Sequence, residues 1–271
     1  MRTEFITSVK NPKIKQLLSL MESSSQRRKE QLFVVEGVRE VERCIDAGFK
    51  IRSIFLCNEI VGEEKVTIIE EAMLSKASNC TFFNVSKYVY EKIAYRGGTE
   101  GIIAEVEYRD KRLEDIVLKD NPLIIVLESV EKPGNIGAVL RSVDAAGADA
   151  MIVCNPLTDL YNPNLIRAST GAVFSKQIAC SSSEDTIKWL KSHKIQILTA
   201  QLQNSTSYYD TDMTIGTAIV MGTESTGLSE IWRKAANRHI KIPMLGSVDS
   251  LNVSVSAAIL MYEAVRQRNS K

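Results

Sequence analysis

Three stretches of the sequence combine hinge residues with side chains able to do chemistry. The first, ESVEKPGNIGAVLRSVDAAG (128–147), offers a Pro133-Gly134 turn, Asn135 as an expected N-cap and Gly147 as an expected helix end. Ile136, Val139, Leu140 and Val143 fall on one helical stripe, which puts Arg141 roughly opposite it and off the core. From composition alone an arginine so placed is a solvated surface residue. The second stretch, MGTESTGLSEIW (221–232), spaces Gly222 and Gly227 like a P-loop, but Leu228 stands where the phosphate-binding lysine is required. Nucleotide triphosphate hydrolysis is therefore rejected, leaving a glycine-hinged turn with one carboxylate, Glu224. In the third, IPMLGSVDSLNVSVSAAILMYEAVRQR (242–268), Ser250 or Asn252 can cap an amphipathic helix. Its stripe of Val253, Ala257, Leu260, Met261 and Ala264, with small residues beside it, indicates a core or dimer interface and no more.

The elements that must hold these loops read as alternating strands and helices. Strands are expected at 123–128, 150–154, 195–200, 218–222 and 239–243, with helices at 135–146, 184–192, 228–237 and 251–268. LIIVLE and AIVMG are nearly continuous apolar runs, as strands buried on both faces should be. The alternation predicts a parallel sheet covered on both sides, whose ligands bind beyond the carboxyl ends of the strands. Gly134-x-x-Gly137 is not GxGxxG and lacks the following acidic residue, so a nicotinamide site is unsupported. Upstream, LFVVEG, IRSIFL, CTFFNV and GIIAEVEY alternate with helical 38–48, 68–77 and 87–94. The expected organisation is a smaller α/β domain over 1–108, a charged linker over 109–120 and a second domain over 121–271.

Composition narrows the chemistry further. The 271 residues are 44% hydrophobic, enough to fill a core, and the net charge is only +1. Five cysteines, widely spaced and without a CxxC, together with two histidines, give no recognisable zinc site and argue against a disulfide framework. They are expected to act as small reduced hydrophobes. No apolar run approaches a membrane span, and MRTEFITSVKNPK does not read as a signal peptide, so a cytoplasmic protein is expected. Residues 1–31 hold seven Lys/Arg (Arg2, Lys10, Lys13, Lys15, Arg27, Arg28, Lys29) against Glu4, Glu22 and Glu30. That run is either a solvated helix face or a patch that tracks phosphates.

Taken in chain order, the loops become specific. N-x-G-x-x-x-R (Asn135, Gly137, Arg141), G-x-E-x-x-G-L (Gly222, Glu224, Gly227, Leu228) and I-P-M…S-L-N-V-S-V-S (Ile242 to Ser256) resemble the three signature motifs of the SpoU/TrmH family of RNA ribose 2′-O-methyltransferases, in the SPOUT superfamily. The resemblance covers about residues 123–268, and RRKEQLFVVEGVREVE (27–42) is similar to the ribosomal-protein-like substrate-binding domain of the thiostrepton-resistance type. It implies a C-terminal SPOUT domain with a deep trefoil knot, S-adenosylmethionine as cofactor, an obligate homodimer and ribosomal RNA, 23S in particular, as substrate. By motif match, Arg141 would organise the target phosphate and assist loss of the hydroxyl proton, with Asn135 and Asn252 beside it and Glu224 and Ser250 completing the site. Thr199, Ala200, Leu202, Gly222, Ile242, Met244, Leu251 and Val253 would enclose the cofactor, and Arg27, Arg28, Lys29 and Arg39 would contact RNA. No metal and no membrane are implied. Transfer RNA as substrate, a non-catalytic RNA-binding or ribosome-assembly factor on the same fold, and a base methyltransferase are the competing readings; fold alone does not separate them.

Overall fold

The β-branched and aromatic runs of the N-terminal region pair into a five-stranded sheet, and the longer apolar runs further on pair into a seven-stranded one. The computed structural model describes residues 4–62, 64–67, 69, 71, 80–95 and 100–269. The chain divides into one unit of Met1–Asp110 with Asp159–Ser175, and a second of Lys111–Thr158 with Lys176–Lys271.

In the first unit β1 (Glu4–Ile6), α1 (Pro12–Glu22), α2 (Ser24–Glu30), β2 (Leu32–Glu36), α3 (Val38–Asp46), β3 (Ile51–Leu56), α4 (Asn58–Val61), β4 (Thr81–Val85), α5 (Lys87–Ile93) and β5 (Ile102–Glu107) follow in order. The strands lie in the order β1-β4-β3-β5-β2, with β5 antiparallel to both neighbours. The helix expected over 68–77 lies largely outside the described residues. Arg27 is a correction. It lies on the buried face of α2, 1% exposed, with Nη2 2.6 Å and Nε 3.2 Å from the Asp159 carboxylate. Its Nη1 donates to the Leu20 and Met21 carbonyls at the end of α1. With every nitrogen engaged inside the fold, it is neither a solvated cation nor a phosphate contact.

Asp159 belongs to a segment that the sequence assigns to the second domain but that folds with the first unit. Tyr161 of this segment stacks on Phe33 at 4.0 Å between ring centroids, and its hydroxyl donates to the Arg109 carbonyl. The expected linker is no free tether either. Leu113 and Ile116 within it are 5% and 9% exposed, in the core of the second unit.

The remaining elements are β6 (Leu123–Glu128), α6 (Pro133–Ala145), β7 (Ala150–Cys154), then α7 (Pro163–Ala168) and α8 (Ala172–Ser175) of the first unit. They continue with β8 (Ile178–Ser181), α9 (Ser183–Ser192), β9 (Gln196–Ala200), β10 (Thr206–Ser207), β11 (Thr217–Met221), α10 (Glu230–Ala235), β12 (Arg238–Lys241) and α11 (Val253–Asn269). The seven-stranded sheet is wholly parallel, in the order β10-β12-β9-β11-β6-β7-β8. Every residue of β6 and β11 is buried. Ile124, Val126, Ala218 and Val220 share a core with Ile187, Leu190 and Trp232 of α9 and α10. Strand alternation turns their neighbours to the opposite face, where α11 packs on β6, β11 and α6.

Candidate active site

Adjacent parallel strands β12, β9, β11 and β6 end side by side, so the loops after them leave from one edge of the sheet. Three of those loops carry the motif residues. After β6 the chain turns through Ser129, in the left-handed region at φ 51, and α6 begins with Pro133 at its first position. Asn135 is therefore not the N-cap expected of it; Lys132 occupies that place, and the Asn135 side chain is free to turn outward.

The loop after β11 is a tight turn. Thr223 and Gly227 exchange backbone hydrogen bonds of 3.2 and 3.1 Å, and Thr223 Oγ1 accepts from the Thr226 N–H at 3.0 Å. A Cβ on Gly222 would run into the Gly227 carbonyl, so only glycine fits this turn. Behind it, the buried carboxylate of Glu128, the last residue of β6, accepts from Ser229 N–H at 2.8 Å, Ser229 Oγ at 2.5 Å and Ser183 Oγ at 3.0 Å. Ser183 in turn receives the Trp232 indole N–H and an Asn155 amide hydrogen. This network anchors the second loop to the strand that carries the first. The loop after β12 ends at Asn252, whose Oδ1 accepts from Ser254 N–H at 2.9 Å and caps α11.

These loops place one carboxylate among three donors. Glu224 Oε1 accepts from Asn135 Nδ2 at 2.8 Å and Asn252 Nδ2 at 3.1 Å, and Glu224 Oε2 from Lys132 Nζ at 3.1 Å. Asn252 Nδ2 also lies 3.3 Å from Asn135 Oδ1. Both amides are thus fixed in rotation, and Glu224 acts as the anchor that orients them. A cavity of about 200 Å³ opens here, lined by Val130, Lys132, Asn135, Thr223, Glu224 and Val253.

Other expected residues stand apart from this cluster. Arg141 is exposed, and no described residue bonds its guanidinium. Six residues beyond Asn135 on the same helix, it is about 9 Å further along the axis and turned to another face. Ser250 is exposed and makes no bond to Glu224, Asn135 or Asn252. Among the expected cofactor residues, Thr199 is buried and hydrogen-bonded to His239, Val253 is buried, and Ala200, Gly222, Ile242, Met244 and Leu251 are half-buried. Leu202 is exposed. In the loop after β9, Gln201 Oε1 is buried without a hydrogen-bond partner among the described residues. An orphaned acceptor at this edge has a physical explanation if a ligand donates to it.

Lys132 and Glu128 are the residues that motif reading missed. Lys132 was legible only as the lone cation of its loop, and Glu128 as an acidic residue ending an apolar strand. In the first unit Arg28 and Lys29 are exposed, while Arg39 pairs with Glu40 through its Nε and Nη2. Burial pushes the Cys154 thiol up to about 12, as befits a packing residue. Among the described residues no group of three or more His, Cys, Asp or Glu is placed to hold a metal ion, and no helix is long and apolar enough to cross a membrane.

Comparison with known proteins follows the same division. Residues 122–262 match the model of the SpoU rRNA methylase family, and residues 11–104 match the MRM3-like substrate binding domain. The chain is 28% identical over 271 residues to the 23S rRNA (uridine(2479)-2′-O)-methyltransferase of Streptomyces viridochromogenes, covering 98% of this chain and 93% of that protein. A crystal structure of an RNA 2′-O ribose methyltransferase is 37% identical with a TM-score of 0.84, covering 98% of this chain and 99% of the other. An AdoMet-bound rRNA methyltransferase from Sinorhizobium meliloti gives a TM-score of 0.88 at 28% identity, covering 97% and 98%.

Proposed function

This chain belongs to the SpoU rRNA methylase family, and on that premise we propose that it methylates a ribose 2′-hydroxyl of ribosomal RNA, with S-adenosylmethionine as methyl donor. The observation that carries the reading is the Glu224 cluster, in which a residue from each of three separate loops meets at one end of a parallel sheet. Proteins with this likeness are named for 2′-O-methylation of 23S rRNA and are known with AdoMet bound.

The residues present suit the cofactor. Gly222 permits the tight turn that shapes the loop after β11, Gln201 Oε1 awaits a donor, and Val253 supplies an apolar wall. Thr199, Ala200, Leu202, Ile242, Met244 and Leu251 complete the cradle. When bound, S-adenosylmethionine supplies an electrophilic methyl group on a sulfonium. The chain's own task is to hold the 2′-oxygen in line and manage its proton. Glu224 already accepts from three donors, which makes it the support for Asn135 and Asn252. Arg141, exposed and unpaired among the described residues, meets the phosphate beside the target ribose. A guanidinium holds its own protons and is a poor base, so the proton passes by way of the phosphate that Arg141 holds. Ser250 lies on the exposed loop above and contacts RNA or cofactor once the loop is engaged.

The helix α11 supports a homodimer. Its buried face is Val253, Ala257, Leu260, Met261 and Ala264, yet Val255 and Tyr262 leave a second apolar face about half exposed. Apolar side chains left in water on a helix already packed along its other side suit contact with a second copy of the chain. The same helix crosses from beyond β12 back over β11 and β6, the path along which a trefoil knot would thread. Arg28, Lys29 and Arg39 supply the positive surface of the RNA-binding unit. This reading puts the protein in the cytoplasm, beside the ribosomal RNA it would modify.

The test is thermal. S-adenosylmethionine should raise the melting temperature, with about 2.7 kcal/mol of stabilisation at one hundred times Kd. A flat melting curve at millimolar cofactor on folded protein would contradict the proposal.

A further inference from the structure

The first turn of α6 grips the Glu224 carboxylate by both oxygens. Lys132 and Asn135 stand three positions apart there; Lys132 Nζ lies 3.1 Å from Glu224 Oε2, and Asn135 Nδ2 lies 2.8 Å from Oε1. Asn252 Nδ2 shares Oε1 at 3.1 Å. The two amides therefore hold one oxygen, and among the described residues Lys132 alone holds the other. Lys132, Asn135 and Glu224 line the same cavity of about 200 Å³. Lysine is a poor residue for this place in the fold. It is the N-cap of α6, where Ser, Thr, Asp or Asn would accept from a first-turn N–H, and an ammonium there faces the positive end of the helix dipole. Elsewhere the chain supplies such caps: Asn11, Ser23, Ser86, Asn162 and Ser182 each accept from an N–H at the start of a helix. The ion pair adds little stability in return, because its two side chains are 70% and 41% exposed. What it does add is direction. The terminal torsion of a glutamate is broad, so a carboxylate held by one oxygen still swings about it. A hold on the second oxygen fixes its plane, and with it the setting of Asn135 and Asn252.

We propose that Lys132 is a positioning residue for methyl transfer: by holding Glu224 Oε2 it locks the carboxylate that orients Asn135 and Asn252 at the reacting ribose. The inference rests on the reading of the chain as an RNA ribose methyltransferase, with Glu224 as the support for the two amides. Transfer in line depends steeply on geometry, and about 1 Å of misplacement costs about 10²-fold in rate. Removing Lys132 loosens the cluster and leaves both amides in place, so the expected loss is smaller, about tenfold. The role lies in turnover. Lys132 acts through Glu224, so affinity for RNA and for S-adenosylmethionine does not depend on it.

The experiment uses the full chain, S-adenosylmethionine and ribosomal RNA transcribed in vitro. Lys132→Ser places a favoured cap on α6, so the melting temperature should hold or rise. Its kcat should nevertheless fall about tenfold, with KM for RNA and the cofactor Kd unchanged. Lys132→Arg should restore most of kcat, since a guanidinium can donate to the same oxygen. In a Glu224→Ala background Lys132→Ser should slow transfer no further, because the two side chains act through one interaction. Unchanged kcat in Lys132→Ser would overturn the proposal, as would a further loss in the Glu224→Ala background. A raised KM with a flatter salt dependence and normal kcat would also overturn it, and would make Lys132 a direct phosphate contact. Failure of the unaltered chain to methylate ribosomal RNA, although it binds S-adenosylmethionine, would overturn the functional reading and the role of Lys132 with it.

Discussion

Two clusters of charge, one in each unit, use similar groups for opposite ends. Arg27 and Asp159 are sealed in the first unit, with side chains 1% and 4% exposed, and they fasten a distant segment to the sheet. Lys132 and Glu224 meet at an open sheet edge in the second unit, 70% and 41% exposed, where the carboxylate also steadies two amides. A buried pair answers to the fold, because losing one partner strands a charge away from water. An exposed cluster contributes little to stability and stays available to a ligand. Exposure, rather than charge or spacing, separates the structural ions from the working ones.

The sharpest way to break this contrast is to remove one member of the buried pair. Asp159→Ala should destabilise the first unit by about 3–5 kcal/mol, read in denaturant unfolding. The Arg27→Met/Asp159→Ala double variant should cost less than the two single changes added together, since they share one interaction. A destabilisation below about 1 kcal/mol for Asp159→Ala would place the pair with ordinary surface ion pairs.

Arg141→Ala probes the opposite end of the contrast. It removes an exposed side chain from the outer face of α6 and puts a better helix former there, so stability should hold. Methyl transfer should fall about 10²–10³-fold, equivalent to roughly 2.7–4 kcal/mol of transition-state stabilisation. Arg141→Lys should recover little, because an ammonium lacks the planar fork. Near-normal turnover in Arg141→Ala would return Arg141 to the status of a surface residue.

The smallest expected effect concerns the exposed cations that neighbour Arg27. Charge reversal at Arg28 and Lys29 should weaken RNA binding and flatten its dependence on salt by about one unit of slope for each phosphate no longer neutralised. Cofactor affinity should not change. An unaltered salt slope would make these residues a solvated face.

The same contrast explains what could be read in advance. The strands LIIVLE and AIVMG were legible because burial on both faces leaves a continuous apolar run. Residues 155–175 fell within the expected second domain because their partners are far away in sequence: Arg27 is 132 positions from Asp159, and Phe33 lies under Tyr161. β8 escaped notice as four residues with little pattern. Charge counting set Arg27 with Arg28 and Lys29, since adjacent positions on a helix face different ways and composition does not record which face is buried. At the candidate site, motif resemblance picked out Asn135, Glu224 and Asn252, but not that Glu224 holds both amides across separations of 89 and 28 residues. Ser250 and Arg141 came from the same motifs and stand outside that cluster, so sharing a motif did not mean sharing a hydrogen bond.

The most direct test of the central claim is transfer of a labelled methyl group from S-adenosylmethionine to ribosomal RNA transcribed in vitro, which carries no methyl groups, followed by mass spectrometry of the nucleosides. The label should appear in a 2′-O-methylated nucleoside, at a single kind of nucleotide, and should drop with Arg141→Ala. Label found only on bases, or no label in ribosomal RNA from a protein that binds the cofactor, would contradict the account.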